Sequence, residues 1–258
     1  MVVDYLVQFA GKLSVATLKR RLCAIHVEHI DRGLQSPVRA VQVTRALQGI
    51  CRTYGTAQRQ VKAIVKDDLL QLLAAVGERT TPLATARDRA LLLVGFAGAF
   101  RRSELVALTV ADVTSGRHGL ELRIRRSKTD QTGKGRIVFI PVAKGSECPA
   151  AALREWLEAS GIKHGAIFRS VSRSGAIGAL ALTPQSVALI VKSAMRRSLG
   201  GEAAAHVAGH SLRAGYCTEA AQAGLQSHQI REQTGHTSDA TLARYIRPVS
   251  RRAIPSLL

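Results

Sequence analysis

The sequence predicts a mainly α-helical protein that carries a small antiparallel β-sheet. Across most of the chain, apolar side chains recur at helical spacing, and capping residues or prolines precede the segments that show this pattern. Residues 120–125 instead alternate apolar and charged side chains, as a strand with one buried face does. A polar loop, residues 128–135, leads from this strand to residues 136–140, so the two stretches predict a hairpin with a long tip.

The first 54 residues predict three helices. The second begins after Ser14 and directs Leu18 and Leu22 inward at helical spacing. The third has Ser36 as its cap and Pro37 in its first position, where a missing amide hydrogen costs no helical hydrogen bond.

The middle of the chain predicts a helical core. Asp67 is placed to cap a helix that carries Leu69 on its inner face. After a break at residues 80–82, the stretch 88–100 is so apolar on all sides that it predicts a buried core helix. Two further helices are predicted, over residues 149–160 and 184–198.

The charge balance predicts a polyanionic partner. The chain has 37 Lys and Arg against 18 Asp and Glu, a formal net charge of +19, spread over the whole sequence. A folded surface with such an excess favours nucleic acid over an acidic membrane. The sequence has no run of 18 apolar residues, no signal-peptide pattern at its start and no paired spacing among its four cysteines. A cytoplasmic protein with reduced, mostly buried thiols is therefore expected.

The densest group of reactive side chains lies towards the C-terminus. His210 and Arg213 are three positions apart, so they share one face at the start of a helix that Ser211 can open. A helix N-terminus offers free amide hydrogens and a positive dipole, which together suit a phosphate. Tyr245 follows His236 by nine residues, after a second short helix. A phenol, two imidazoles and a guanidinium around such a helix end predict nucleophilic attack on phosphorus.

This arrangement resembles the tyrosine recombinases, also called phage-type integrases. Their C-terminal signature is a His-x-x-Arg pair, then Gly-His, then a nucleophilic tyrosine. The chain carries these as His210 and Arg213, Gly235 and His236, and Tyr245. The resemblance extends over nearly the whole chain. It implies an N-terminal helical, SAM-like core-binding domain followed by an α+β catalytic domain with a small antiparallel sheet.

Residues 98–105, Gly-Ala-Phe-Arg-Arg-Ser-Glu-Leu, resemble the first arginine motif of that family. By position, the resemblance makes Arg101 the catalytic arginine and Glu104 its acidic neighbour. Arg102 departs from the pattern, because an aliphatic residue usually stands there. We expect its side chain either to contact DNA or to point to solvent.

Residues 127–131, Ser-Lys-Thr-Asp-Gln, leave the first hairpin strand and resemble the mobile lysine hairpin of the family. A lysine at a hairpin tip can reach a leaving oxygen and give it a proton. Lys128 is the predicted acid, and Lys134 in the same loop is the alternative.

The resemblance implies a transesterification that uses neither a metal nor a nucleotide cofactor. Tyr245 would attack the scissile phosphate and become joined to its 3′ side. His210 would be the base, and His236 would donate to a phosphate oxygen. Arg101 and Arg213 would hold the non-bridging oxygens, since a guanidinium fork matches a phosphate with two hydrogen bonds. The covalent link would conserve the energy of the broken phosphodiester.

By resemblance the chain has a core-binding domain over residues 1–54, a linker over 55–64 and a catalytic domain over 65–258. It would clamp duplex DNA between the two domains and act as a homotetramer on two sites, with accessory DNA-bending proteins left open. The first helix of the family precedes the segment where this chain begins, so we expect the core-binding domain to lack it. Apolar positions such as Leu6, Leu18, Leu22 and Ile25 would then lose their cover, and this domain would be the least stable part of the chain.

Two other functions are compatible with the sequence. A type IB topoisomerase resembles the family in its active-site residues, and a DNA-binding protein that has lost recombination would keep the fold. Tyr216 is the alternative nucleophile. Cys23, His26 and His29 have a spacing that zinc ligands sometimes show, but they fall on an ordinary amphipathic helix, so no metal site is predicted.

Overall fold

The computed structural model describes residues 1–56, 61–77, 81–127 and 133–252. The chain divides into two compact units, Met1–Gln60 and Val61–Leu258, and each has its own apolar core. Helices make up most of both units, and the strands of the described residues form two small antiparallel sheets. The predicted fold class, mainly α with a small antiparallel sheet, is confirmed.

The smaller unit is a group of helices around one apolar cluster. Its elements are α1 (Val2–Phe9), α2 (Val15–Asp31), a 3₁₀ turn (Pro37–Arg39) and α3 (Val41–Tyr54). Ser14 caps α2 as predicted, because its Oγ accepts a hydrogen bond from the amide of Thr17 at 3.2 Å.

Two expectations for this unit are wrong. Ser36 and Pro37 open the 3₁₀ turn instead of α3, which begins at Val41. Of the side chains that were expected to lose their cover, Leu6, Leu18 and Leu22 are buried, with exposed fractions of 0%, 0% and 4%, and Ile25 is half-buried. The reason is that the apolar faces of α1, α2 and α3 pack on one another and enclose the three leucines.

The larger unit contains the remaining described helices and strands. Its helices are α4 (Lys66–Val76), α5 (Pro82–Ala97), α6 (Arg102–Ala107), α7 (Pro149–Ser160), α8 (Pro184–His206), α9 (Ser211–Gln222), α10 (Ser227–Thr234) and α11 (Asp239–Arg252). Its strands are β1 (Val113–Gly116), β2 (Gly119–Ile124) and β3 (Arg136–Pro141) in one sheet, and β4 (Arg169–Val171) and β5 (Ile177–Ala181) in another.

The predicted hairpin consists of β2 and β3, which pair antiparallel with Leu122 opposite Val138. Both of these side chains are fully buried, whereas Ile137 and Phe139 are exposed, so the alternation in the sequence marks the buried face. The sequence analysis missed β1, β4 and β5. These strands have only three to five residues and show no alternation of buried and exposed positions that a pattern could detect.

Helix α5 forms the centre of the larger core. Leu91, Leu92 and Val94 are all fully buried, so consecutive positions around the helix meet other elements, as the all-round apolar sequence predicts. The helix packs against α7, where the fully buried Trp156 donates its Nε1–H to the carbonyl of Ile167 at 2.9 Å. The core therefore places the C-terminal end of α5 in a rigid setting.

Two helix starts differ from the prediction. Helix α5 begins at Pro82 instead of residue 88, because the hydroxyl of Thr81 caps it. Helix α4 begins at Lys66, so Asp67 lies in its first turn instead of at the cap. The amide of Lys66 donates to Oε1 of Glu219 at 2.8 Å. The cap thus comes from α9, which local spacing cannot reveal.

Two expectations that came from composition can be compared with the structure. All four cysteines lie in the described residues and are free: Cys148 and Cys217 are buried, Cys51 is half-buried and Cys23 is exposed. The expected burial of the thiols is therefore wrong for Cys23. Among the helices that the structure describes, none is long and apolar enough to cross a membrane.

Candidate active site

The predicted pair of His210 and Arg213 lies at the start of α9. The helix begins at Ser211 with His210 in the cap position, and the hydroxyl of Ser211 accepts a hydrogen bond from the amide of Ala208 at 3.0 Å. The carbonyl of Ser211 accepts a second bond, from the amide of Ile64, at 3.0 Å. These bonds fix the direction in which α9 leaves the turn.

Arg213 is almost completely buried, with an exposed fraction of 1%. One terminal nitrogen, NH1, donates to the carbonyl of Ala99 at 2.8 Å, whereas NH2 is buried with no hydrogen-bond partner among the described residues. Burial lowers the pKa of Arg213 to about 10, and the positive charge of Arg101 acts in the same direction. Buried donors are normally paired, so NH2 is an unused donor for an anion.

The turn between α5 and α6 brings the carbonyl of Ala99 to Arg213. Ala99 has a φ of 48°, in the left-handed region that non-glycine residues occupy at a cost of about 1–2 kcal/mol. The residue is fully buried and stands two positions before Arg101. The strained turn therefore joins the first arginine motif to the helix that carries the second.

Arg101 and Glu104 form an ion pair. NH1 of Arg101 lies 2.6 Å from Oε1 of Glu104, and the backbone amide of Arg101 donates to Oε2 at 3.0 Å. The other terminal nitrogen of Arg101 lies 3.5 Å from the carbonyl of Gly235. Arg101 thus connects the start of α6 with the turn that precedes His236.

A third arginine, which the sequence analysis missed, joins this group. NH2 of Arg136 donates to Oε2 of Glu104 at 3.1 Å and reaches the carbonyl of Thr234 at 3.4 Å. Its Nε and NH1 are buried and have no hydrogen-bond partner in the described part of the chain. Burial lowers the pKa of Arg136, and the negative charge of Glu104 opposes this effect. In the sequence, Arg136 is an arginine that opens a strand directly after the lysine loop. That pattern is too common to predict a contact with Glu104.

His236 is held by the turn that ends α10. Gly235 takes the left-handed conformation, with a φ of 67°, and His236 follows it with an exposed fraction of 7%. Nδ1 of His236 lies 2.8 Å from Oγ1 of Thr234, which also lies 2.7 Å from the carbonyl of Ile230. A hydroxyl has one hydrogen to donate. Its direction therefore decides whether Nε2 of the neutral imidazole accepts or donates a hydrogen bond.

Burial and positive charge favour the neutral form of both imidazoles. Burial lowers the pKa of His236 to about 3, and the charges of Arg213 and Arg101 act in the same direction. His210 is open to solvent on one side. Its partial burial lowers its pKa, and the charges of Arg213 and Arg102 add to this effect. A neutral imidazole can accept a proton, which is what a general base must do.

Tyr245 lies beside His236. Ser238 opens α11 by accepting a hydrogen bond from the amide of Thr241 at 3.3 Å, and Tyr245 stands within this helix. The ring centroids of His236 and Tyr245 are 5.4 Å apart, with 36° between the ring planes. Tyr245 is half-buried against the small apolar cluster that contains Leu242. The structure thus brings a phenol, two imidazoles and two arginine motifs to one place.

Comparison with known proteins identifies the family. The model of the phage integrase family matches residues 62–251. An integrase/recombinase XerD homolog from Selenomonas ruminantium is 38% identical over 249 residues, which cover 95% of this chain and 72% of that protein. The chain belongs to the phage integrase family of tyrosine recombinases.

More distant tyrosine recombinases are also similar. The tyrosine recombinase XerC of Pseudomonas putida (strain W619) is 24% identical over 253 residues, or 91% of this chain and 76% of that protein. The XerH site-specific recombinase, solved in a post-cleavage complex with its palindromic difH substrate, matches with a TM-score of 0.71 and 20% identity over 98% of this chain and 69% of its own. At that identity, the likeness to XerH establishes a shared fold.

The lysine hairpin of this tyrosine recombinase is described only at its ends. Lys128, the predicted acid, lies outside the described residues. Lys134, the alternative, lines a surface pocket together with Arg123 and Arg136. Lys134 therefore lies near Arg136, which donates to the buried carboxylate of Glu104.

Arg102 packs against the turn that carries His210. A Cβ atom on Gly209 would lie 1.9 Å from Cδ of Arg102, so only glycine leaves room for this side chain. Arg102 is half-buried, and its charge helps to lower the pKa of His210. The stem of Arg102 therefore packs on the protein, and the two expectations for its charged end, a contact with DNA or a place in solvent, stay predictions.

Tyr216, the alternative nucleophile, has different surroundings from Tyr245. Its ring meets Phe96 edge to face, with the centroids 6.3 Å apart. Burial raises the pKa of Tyr216, and a raised pKa opposes formation of the phenolate. Tyr245 is therefore the better candidate.

The zinc-like spacing on α2 does not assemble a metal site. Nδ1 of His29 lies 2.7 Å from the carbonyl of Ile25, one turn earlier, and Cys23 is exposed. Across the described ranges, no group of three or more His, Cys, Asp or Glu side chains could hold a metal ion.

Proposed function

We propose that this protein is a site-specific recombinase that cleaves and rejoins duplex DNA through a 3′-phosphotyrosine link at Tyr245. Membership of the tyrosine recombinase family gives the class of reaction. The observation that supports the residue assignment most directly is the buried Arg213 with its unused donor, close enough to Arg101 for the two charges to interact. A phosphodiester is the anion that such a pair would hold.

The proposed cleavage step is an in-line displacement. The phenolic oxygen of Tyr245 forms a bond to phosphorus, and the bond from phosphorus to the 5′ oxygen breaks. His210 accepts the phenolic proton, since its pKa is lowered and the ring is neutral at pH 7. Lys128 gives a proton to the departing 5′ oxygen. Rejoining reverses these steps with a 5′ hydroxyl as the nucleophile.

Positive charge around the phosphate offsets the cost of the phenolate. A tyrosine with a reference pKa near 10 needs roughly 4 kcal/mol to lose its proton at pH 7. Arg101 and Arg213 would bind the non-bridging oxygens, and each donor that meets charge developing in the transition state is worth about 3–4 kcal/mol. His236 would add a third donor when the hydroxyl of Thr234 turns towards its Nδ1, because Nε2 then carries the hydrogen.

The proposed reaction needs neither a metal nor a nucleotide. Arginine side chains take the place that a metal has in many phosphoryl-transfer sites, and the phosphotyrosine keeps the bond energy for rejoining. Cleavage in EDTA should therefore equal cleavage without it. A large loss on chelation that magnesium or zinc restores would contradict this part of the proposal.

Duplex DNA and further copies of the chain are the proposed partners. The net charge of +19 favours a polyanion, XerH was solved with its difH substrate, and lambda integrase was solved as a dimer on a core site. We place the DNA-gripping domain at residues 1–54, the linker at 55–64 and the catalytic domain at 65–258, acting as a homotetramer on two sites. Whether accessory DNA-bending proteins take part is left open.

The test starts from a pool of nicked duplexes with a randomised central segment. With a nick next to the cleaved bond, the short fragment that carries the 5′ hydroxyl diffuses away. Rejoining then has no nucleophile, so the protein stays attached to the DNA. Covalent complexes isolated under denaturing conditions are sequenced, which yields a selected duplex. Two labelled copies of that duplex should then exchange strands. Relaxation of supercoils without joining of two sites would instead identify a topoisomerase, and the absence of any covalent complex would contradict the proposal.

A further inference from the structure

Two arginines share one buried carboxylate in this site. Glu104 pairs with Arg101 through Oε1 at 2.6 Å and with Arg136 through Oε2 at 3.1 Å. The side chain of Glu104 is only 1% exposed, so water does not neutralise the surplus positive charge. Arg136 and Arg101 thus take their positions from the same two oxygens.

Arg136 also lies against the turn that carries His236. Its NH2 reaches the carbonyl of Thr234 at 3.4 Å, and a Cβ atom on Gly235 would lie 2.7 Å from its Nε. Gly235 is therefore the residue that allows this close approach. The hydroxyl of Thr234 in turn bonds to the imidazole of His236.

We propose that Arg136 is a positioning residue of the cleavage site, which holds Arg101 and His236 at a fixed spacing by bonding Glu104 and the turn at Thr234 together. The inference rests on the proposed function. This role rests on NH2 of Arg136, which contacts both Glu104 and the turn at Thr234, the groups that hold Arg101 and His236. Arg136 ties the start of β3, the start of α6 and the end of α10 into one unit.

The bridge requires the shape of a guanidinium. Both contacts come from one nitrogen, NH2, whose two hydrogens have fixed directions in the rigid guanidinium plane. A lysine ammonium keeps the charge, but its donors rotate at the end of a flexible stem and do not fix the two contacts at one spacing. Comparing Arg136→Lys with Arg136→Met therefore separates the bridge from the charge.

A matched control is available on α5. Arg89 pairs with Glu147 at 3.0 Å and donates to the carbonyl of Ser146 at 2.6 Å, so it also joins a carboxylate to a carbonyl. It has no contact with Glu104 or with the turn at Thr234 among the described residues. Arg89→Met removes the same kind of bridge outside the site.

The first measurement is single-turnover cleavage of the selected nicked duplex at saturating protein. We expect Arg136→Met and Arg136→Lys to cleave about tenfold to a hundredfold more slowly, the effect typical of misplaced reacting groups. DNA affinity should stay close to that of the wild type, and the protein should stay folded with a moderately lower urea midpoint, because Glu104 keeps Arg101 as an ion-pair partner. Arg89→Met should cleave at the wild-type rate. Wild-type cleavage by Arg136→Met, or full recovery by Arg136→Lys, would overturn the proposal. Loss of the fold in both variants would also overturn it, since Arg136 would then serve the fold.

A double-mutant cycle tests whether Arg136 acts through Glu104. When Arg136→Met is added to Glu104→Gln, the cleavage rate should fall by less than about a further twofold, because Glu104→Gln has already broken the bridge. A further loss as large as in the wild-type background would show that Arg136 acts independently, which would overturn the proposal.

A readout without DNA separates this inference from the proposed function. The long-range imidazole ¹H–¹⁵N spectrum of the free protein reports the surroundings of His236, whose signal is assigned with His236→Gln. We expect the His236 signal to move in Arg136→Lys and to stay in place in Arg89→Met. A wild-type protein that cleaves no DNA would defeat the proposed function, while this spectrum would still decide the role of Arg136. A His236 signal that stays in place in Arg136→Lys would overturn the proposed role of Arg136.

Discussion

Two buried arginines of the larger unit, Arg87 and Arg213, differ in the groups that pair with their positive charges. Arg87 is 5% exposed, its Nε and NH2 donate to Oδ1 of Asp88 at 2.8 and 2.6 Å, and its NH1 donates to the carbonyl of Arg169 at 3.2 Å. Arg213 is even less exposed, yet it bonds one carbonyl and forms no ion pair within the described residues.

We infer from this difference that Arg87 serves the fold and that Arg213 serves a ligand. Every nitrogen of Arg87 has a partner inside the protein, so the charge is neutralised before any ligand arrives. Arg213 has a lowered pKa and an unused donor, which are costs for folding that only a function explains. Although both arginines are buried, substitution of Arg87 should lower stability, whereas substitution of Arg213 should lower the rate of cleavage.

The largest expected effect concerns the stability contribution of Arg87. Arg87→Met leaves the fully buried carboxylate of Asp88 without its guanidinium, and breaking a buried ion pair in this way costs about 3–5 kcal/mol. Urea unfolding of the free protein measures it. A loss below about 1 kcal/mol, as for an exposed pair, would remove the distinction between the two arginines.

The next effect concerns cleavage by Arg213→Met. We expect the cleavage rate constant to fall by about 10²–10³, because a charge-stabilising donor is lost. The free energy of unfolding should change much less than for Arg87→Met, since the substitution removes a buried charge that forms no ion pair in the described part of the chain. Single-turnover cleavage and urea unfolding of the same preparation check both parts. The opposite pattern, normal cleavage with a large loss of stability, would assign Arg213 to the fold.

A smaller effect concerns the pH dependence that burial and the nearby arginines impose on His236. Its pKa of about 3 in the folded state lies below the ordinary value of 6.5, so between these values the unfolded chain binds a proton that the folded chain does not. The stability that the neutral ring contributes is present above pH 6.5 and is lost as the pH falls towards 3. Between pH 7 and pH 5 this loss amounts to about 2 kcal/mol.

His236→Gln should abolish that part of the pH dependence. Urea unfolding at the two pH values is the measurement, and the variant should lose about 2 kcal/mol less than the wild type on acidification. Equal losses of stability in the wild type and in His236→Gln would show that the imidazole of His236 is already protonated in the folded state at pH 5.

The smallest effect concerns Arg102, which is half-buried and close to His210. Arg102→Leu restores the aliphatic residue usual in the family and removes one of the charges that lower the pKa of His210. The acid limb of kcat/KM for cleavage, which reports the free enzyme, should move to higher pH by a fraction of a unit. Arg102→Lys should leave it in place. A shift to lower pH in the leucine variant would contradict this electrostatic role.

The sequence predicted those parts of the molecule whose cause is local. Ser14 caps α2, the alternation in β2 marks its buried face, and the apolar stretch from Leu91 to Val94 is a core helix, because spacing and side-chain type decide each of these. The start of α4 was predicted wrongly, since its cap is Glu219 from a distant helix. Tertiary contacts of that kind leave no signal in neighbouring residues.

The candidate site shows the same division. The resemblance to the family's motifs named Arg101, His210, Arg213, His236 and Tyr245, which the structure gathers in one place. Spacing could not find Arg136, because its role depends on sharing Glu104 with an arginine from another element. Nor could it show that Arg87 is neutralised and Arg213 is not, since burial and hydrogen-bond partners exist only in the fold.

The most direct test of the account is the identity of the covalent link to DNA. Wild-type protein, Tyr216→Phe and Tyr245→Phe are each incubated with the selected nicked duplex and run on a denaturing gel. The adduct is then digested, and the modified peptide is located by mass spectrometry. We predict adducts for the wild type and Tyr216→Phe, with the nucleotide on Tyr245, and none for Tyr245→Phe, which should still bind the duplex. An adduct formed by Tyr245→Phe, or a nucleotide mapped to another residue, would contradict the account.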